Sequence, residues 1–187
     1  MTRTQYYTAT SIDGFIADAD NSLSWLFEVE RDPADGRDEW ESFIGAVGAM
    51  AMGATTYQWI LDHERLLERP EAWQQMYADR PTWVFTHRDL PTIPGAPIRF
   101  CRDDVRSVHA EMVTAAGDRN VWLIGGGDLV GQFDDAGLLD EIRLAVQPVL
   151  LGSGAPLLPR RITSERLSLR SADRRGPQLS LVYDVTH

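Results

Sequence analysis

The chain has 187 residues, 43% of them hydrophobic and 25% charged, the size and balance of one globular domain with a sizeable core. Its net charge of −10 argues against wholesale nucleic-acid binding, so an anionic ligand would need a local basic pocket. A single cysteine, Cys101, excludes a disulfide framework and a cysteine-based zinc site; with no apolar signal region at the start and no apolar run of membrane length, the expectation is a cytoplasmic protein without a membrane partner.

Residues 4 to 12, "TQYYTATSI", are aromatic and β-branched and predict a strand. "DGFIADADNSLSW" follows as a long loop. The acidic stretch "EVERDPADGRD", with Pro33 and Gly36, predicts an exposed loop leading into a helix that has Trp40, Phe43, Ile44 and Val47 on one face. "GAMAMG" predicts a tightly packed strand, and "TTYQWILDH" a helix with a threonine N-cap. "RPTWVFTHR" and "APIRF" predict two more strands. "DDVRSVHAEMVTAAG" has an acidic start, helical spacing and a closing glycine, and predicts a helix. "NVWLIGGG" predicts a strand ending in glycines, and "DLVGQFDDAG" a helix ending at Gly137. "EIRLAVQPVL", "RLSLRSA" and "QLSLVYDV" predict three late strands. Alternating strands and helices followed by strands alone imply a mainly parallel α/β sheet with antiparallel strands added at the C-terminus.

Three consecutive glycines, Gly125 to Gly127, stand between a strand and a helix. Glycine loses more conformational freedom on folding than any other residue, so the missing side chains need a reason. One reason is phosphate approach to backbone N–H groups at a helix N-terminus; the other is a tight turn with close helix–sheet packing. The P-loop is excluded because no lysine follows, and the dinucleotide fingerprint because its last glycine position holds Val130. His63, His87, His109 and His187 make no ligand spacing, so no metal is expected. Tyr57, Trp59, Trp73, Trp83 and Trp122 are spaced as core and helix-packing residues rather than as a stacking surface.

"TATSIDGFIA", "MGATTYQ", "WVFTHR", "VWLIGGGDLVGQF" and "DEIRLAVQPVLLGSGAPLL" occur in that order. This series resembles the dihydrofolate reductase superfamily, and within it the branch containing the C-terminal reductase domain of riboflavin-biosynthesis (RibD) deaminase–reductases. The resemblance runs from about residue 4 to residue 185 as one domain. It implies a dihydrofolate-reductase-like three-layer fold, with a mostly parallel central sheet and antiparallel C-terminal strands. It also implies an NADPH-dependent reductase of a small heterocyclic substrate, similar to 5-amino-6-(5-phosphoribosylamino)uracil reductase, and a homodimer. The zinc deaminase half is absent, since its H-x-E and P-C-x-x-C patterns do not occur. A divergent dihydrofolate reductase, or a non-catalytic nucleotide-binding dimer of the same fold, are the alternatives.

Carried onto this chain, the resemblance assigns Ile124, Gly125, Gly126, Gly127, Asp128 and Leu129 to the cofactor phosphates, with a cis Gly125–Gly126 peptide. Gly53, Thr55 and Thr56 face the pyrophosphate; Ala54 stands where the family often has arginine. Thr86, His87 and Arg88 match the segment that receives the 2′-phosphate, which favours NADPH over NADH. Ala9 and Ile16 match positions whose backbone holds the nicotinamide carboxamide. Asp13 lies at the mouth of the mobile loop, as a catalytic candidate or a turn residue before Gly14. For the carboxylate that grips a pterin in folate reductases, counting forward from Trp25 gives Glu30, and counting back from "MG" gives Arg37 or Asp38. Trp25, Gln147, Gly152, Ser153 and Gly154 are candidate substrate-wall residues. A ribose phosphate has no evident basic cluster outside the cofactor segment, and all 18 basic residues are arginine.

Overall fold

The computed structural model describes residues 2–30, 32 and 35–187; Arg31, Pro33 and Ala34 of the acidic loop lie outside the described residues. In chain order the strands are β1 (Thr4–Thr10), β2 (Phe15–Ala17), β3 (Val47–Gly53), β4 (Thr82–Phe85), β5 (Ile98–Cys101), β6 (Asn120–Gly125), β7 (Glu141–Val146), β8 (Ala155–Pro156), β9 (Leu167–Arg175) and β10 (Gln178–Val185). The helices are α1 (Arg37–Gly45), α2 (Ala54–His63), α3 (Glu71–Tyr77), α4 (Val105–Ala116) and α5 (Gly127–Asp135).

Eight strands form one sheet in the order β5-β4-β3-β6-β1-β7-β10-β9. The pairs from β5 to β7 are parallel, whereas β10 runs antiparallel to both β7 and β9. This is the predicted mixed α/β architecture. Strand β3 shows why it forms. Ala49 and Ala51 pack on one face with Val108 and Met112 of α4 and Phe133 of α5. Met50 and Met52 pack on the other with Tyr57 and Ile60 of α2 and Trp73 of α3. Side chains alternate across a strand, and a central parallel strand is covered on both sides, so its sequence is apolar throughout.

Several expectations shift. Val47 opens β3 instead of continuing the apolar face of α1. Helix α2 is capped by Gly53 without a side-chain hydrogen bond, so Thr55 and Thr56 sit inside its first turn rather than at the N-cap. "QPVL" leaves the sheet at Val146, before Pro148, which has no N–H to donate. The stretch expected as a long loop holds the 3-10 turn Ser24–Leu26 and strand β2, which forms a ribbon with β8, and helix α3 lies where the sequence reading assigned no element. Each owes its order to burial of a few side chains, such as Trp25, Ala17 and Trp73, and local pattern carries little signal for that.

Candidate functional site

A cavity of about 1150 Å³ lies over the C-terminal ends of β1, β3, β4 and β6. Ligand sites in open α/β sheets form at this edge. Tyr7, Thr8 and Ala9 of β1 and Ile16 and Ala17 of β2 line it. So do the β3–α2 turn from Gly53 to Thr56, the segment Phe85–Arg88, and residues Ile124 to Leu129. Trp40, Trp59, Tyr77 and Trp122 add an aromatic wall.

The three glycines serve three different purposes. The Gly125–Gly126 peptide is cis. A Cβ on Gly125 would sit 3.2 Å from the Thr56 hydroxyl oxygen. One on Gly126 would meet nothing within 4 Å, since that position opens onto empty space. One on Gly127 would come 2.4 Å from the Pro156 carbonyl oxygen and 2.6 Å from that of Leu157. Close packing therefore accounts for Gly127, while at Gly126 the structure shows open space in front of the backbone.

Two helix N-termini meet here. Helices α2 and α5 are capped by Gly53 and Gly126, neither with a side-chain hydrogen bond, and a Cβ on Gly53 would lie 3.7 Å from the Gly126 nitrogen. Their first-turn N–H groups are left for another partner, and the helix dipoles favour an anion. Asp128 stands in that turn, and Arg160 pairs with it at 3.1 Å and with Asp135 at 2.8 Å. Both carboxylates, Asp135 first, hold the Arg160 guanidinium above its usual range, so a fixed cation offsets the acid beside the turn.

At the β4 end the buried Thr86 hydroxyl accepts from the Arg88 N–H at 2.9 Å and donates to the Arg88 carbonyl at 3.2 Å. This fastens the turn and leaves the side chains of His87 and Arg88 exposed at the cavity rim. Arg102, which the sequence reading did not single out, lines the same end and pairs with Asp89 at 3.3 Å. Burial pushes the neighbouring Cys101 thiol up to about 12, so it stays neutral.

The aromatic wall was largely missed. Tyr57, Trp73 and Trp83 are core residues as expected, but Trp59 and Trp122 also face the cavity, joined by Tyr7, Trp40 and Tyr77. Trp122 donates its indole N–H to the Tyr7 carbonyl at 3.1 Å. Burial raises the phenol of Tyr7, helped by the Glu39 charge, and burial lifts that of Tyr77 to about 12. Both hydroxyls therefore remain protonated at neutral pH.

Other candidates lie elsewhere. Glu30 is exposed and Asp38 points outward from α1; neither lines the cavity. At 3.6 residues per turn, Asp38 is roughly 200° around the helix from Trp40, the residue that does line it. Asp13 is a loop staple. It accepts from the Ser11 hydroxyl at 2.6 Å, the Gly152 N–H at 2.7 Å and the Leu151 N–H at 3.1 Å, which together lower its pKa, the Ser11 bond most. Gly152 and Ser153 belong to that stapled loop, off the cavity, and so does Gly154. Gln147 is fully buried, donating to Gln178 at 2.7 Å and to the Ala145 carbonyl at 3.2 Å. Trp25 is buried in the 3-10 turn, also off the cavity. Ala9, Ile16, Gly53, Thr55, Thr56, Thr86, His87, Arg88 and Ile124 to Leu129 all share the one cavity.

Comparison with known proteins gives a consistent placement. The family described as the RibD C-terminal domain matches residues 58–181. The uncharacterized protein YwjB of Bacillus subtilis (strain 168) is 30% identical over 181 residues, covering 97% of each chain. Among solved structures, a diaminohydroxyphosphoribosylaminopyrimidine deaminase/5-amino-6-(5-phosphoribosylamino)uracil reductase from Thermotoga maritima superposes with a TM-score of 0.68 at 15% identity, over 99% of this chain and 57% of that one. Dihydrofolate reductase from Enterococcus faecalis gives a TM-score of 0.59 at 11% identity, over 99% of this chain and 97% of that one. At such identities the structural likenesses speak to the fold, and the family match to descent: the chain belongs to the RibD C-terminal domain family, on a dihydrofolate-reductase-like fold.

Proposed function

We propose that this chain is an NADPH-dependent reductase of a small heterocyclic substrate, related in chemistry to 5-amino-6-(5-phosphoribosylamino)uracil reductase and acting in the cytoplasm. The observation that carries the reading is the meeting of two uncapped helix N-termini at Gly53 and Gly126, within one cavity that has Arg88 at one end and an aromatic wall at the other. The residues fit the cofactor. The open position at Gly126 is a cradle that a side chain would fill. Backbone N–H groups of Gly127, Asp128 and Leu129 and the Thr55 and Thr56 hydroxyls would hold its diphosphate. Thr86, His87 and Arg88 would hold a 2′-phosphate, and the backbone at Ala9 and Ile16 the carboxamide. When bound, the cofactor supplies a hydride.

The protein's own part is to bind, orient and exclude water. The walls at Ile60, Trp122 and Ala145 are apolar and shed water from the reacting face. The protonated phenols of Tyr7 and Tyr77 can donate hydrogen bonds to a ring nitrogen or oxygen. The folate alternative needs a carboxylate against the pterin, and Glu30 and Asp38 both lie off the cavity.

Calorimetric titration with NADPH, followed by NADPH-oxidation assays on neutral heterocycles, the phosphoribosyl pyrimidine and dihydrofolate, tests this reading. It expects micromolar binding and turnover of a heterocycle. Absence of NADPH binding overturns it, and binding without turnover on the whole panel favours a non-catalytic nucleotide-binding protein.

A further inference from the structure

Charge is unevenly distributed around the cavity. Among the described residues, the charged side chains that line it are Arg88, Arg102, Asp103 and Asp104 at the β4–β5 end and Asp128 at the start of α5. The opposite end is bounded by Tyr7 of β1, Trp40 of α1, Tyr77 of α3 and Trp122 of β6. In the sheet order, β4 is three strands from β1 and β5 is four. At about 4.8 Å per strand Tyr7 of β1 lies roughly 14–19 Å from those strands, and Trp122 of β6, two and three strands away, roughly 10–14 Å, further than a single arginine side chain spans.

The aromatic end offers ring faces. Trp40 and Trp122 meet at 5.5 Å and 74°, Tyr77 and Trp122 at 6.2 Å and 56°, and Tyr7 and Trp40 at 6.1 Å and 53°. In these edge contacts Trp122, only 5% exposed, is largely covered, with Phe43 adding another edge contact at 5.5 Å, whereas Trp40, 38% exposed, keeps free ring surface. The polar edge of Trp122 is already committed to the Tyr7 carbonyl. What remains for a ligand is π-surface, with neutral hydrogen-bonding groups on Thr8, Asn21 and the two tyrosines. Arg143 pairs with Tyr7 across the β1–β7 ladder, but Glu141 holds it and it lies over the Phe43 ring, outside the lining. Among the described lining residues, a phosphate or carboxylate brought to this end would lose its water without gaining a cation, which is costly; a flat neutral ring would stack.

We propose that the substrate is a planar, uncharged heteroaromatic ring with amide-type edges and no phosphate or carboxylate, held among Tyr7, Trp40, Tyr77 and Trp122. The word substrate rests on the reductase reading above; the ligand class rests on the wall itself. This departs from a phosphoribosyl pyrimidine in one group, the phosphate.

The test uses the full chain, with and without saturating NADPH. Lumichrome, a neutral fluorescent tricycle with an imide edge, is titrated by fluorescence quenching. 5-Amino-6-(ribosylamino)uracil is compared with and without its 5′-phosphate by competition. Lumichrome should bind at micromolar concentration, and the phosphate-free nucleoside at least tenfold tighter than the phosphorylated one. Trp40→Ala should weaken lumichrome at least tenfold while the NADPH titration stays unchanged. Trp40→Arg should shift preference toward the phosphorylated pyrimidine. The proposal is overturned by equal or tighter binding of the phosphorylated compound, by no lumichrome binding, or by a folded Trp40→Ala protein that binds lumichrome unchanged. Failure of NADPH to bind would instead overturn the reductase reading, and lumichrome binding to the cofactor-free chain would still decide the ligand class.

Discussion

Gly127 and Pro156 are in such close backbone contact that a Cβ at residue 127 would lie 2.4 Å from the Pro156 carbonyl oxygen. One residue earlier, Gly126 has open space where its Cβ would be. The two positions should therefore separate stability from binding. Gly127→Ala is expected to destabilise by about 1–3 kcal/mol through overpacking, several degrees in Tm. Gly126→Val should leave a folded protein that no longer binds NADPH, because a branched side chain would occupy the phosphate space. Thermal melts and calorimetry on both variants check this, and unchanged NADPH affinity in folded Gly126→Val would remove the turn from the site.

Arg88 carries the cofactor preference in this reading. Its turn is fixed by Thr86, and its guanidinium stands at the cavity rim. A charge-assisted contact to a 2′-phosphate contributes about 1.5–3 kcal/mol, so Arg88→Ala should weaken NADPH roughly tenfold to a hundredfold and leave NADH nearly unchanged. Equal losses for both would assign Arg88 a structural role.

Asp13 is expected to act on the loops, not on the chemistry. Its folded pKa is lowered from 3.8 by the Ser11 hydroxyl and then by the Gly152 and Leu151 N–H groups. A carboxylate with a depressed folded pKa contributes stability above its unfolded pKa and loses it as pH falls through the lower, folded value. Asp13→Asn should therefore flatten the acid side of the stability curve below about pH 3.8 and leave the pH profile of turnover unshifted. A shifted turnover profile would return Asp13 to the catalytic machinery.

Assembly is the fourth prediction. Strand β9 is an edge of the main sheet, with Leu169 54% exposed opposite Tyr183, and Leu179 of β10, paired with Arg174 toward the other end of the ladder, 42% exposed. An open edge carrying exposed apolar residues invites pairing. A two-fold homodimer through β9 and β10 is expected, with light scattering at micromolar concentration reading about twice the chain mass. The double substitution Leu169→Arg with Leu179→Arg should give a monomer. A wild-type monomer, or a dimer indifferent to that change, would refute the interface.

The sequence by itself determined the order of the long strands and of helices α1, α2, α4 and α5, the addition of antiparallel strands at the C-terminus, and the place of the glycine turn. These are short-range facts. Period-two and helical spacing, the Asp104 cap of α4 and the Gly117 and Gly137 stops all act within a few residues of their own position. Tertiary structure decided the rest. Trp40 and Trp122 are 82 positions apart and read locally as packing residues, yet a crossover between strands brings them to one wall. Asp13 could be a turn residue or an acid until its partners, more than a hundred residues away at Leu151 and Gly152, came into view. The β9–β10 ladder skips Arg170 of β9, between the pairs Val182–Ser171 and Tyr183–Leu169, a break that local spacing in "RLSLRSA" does not announce. The physical reason is common to all three. Local spacing fixes which face of an element is apolar, while the neighbour that this face meets depends on sheet order and register, and these are set by contacts distant in sequence.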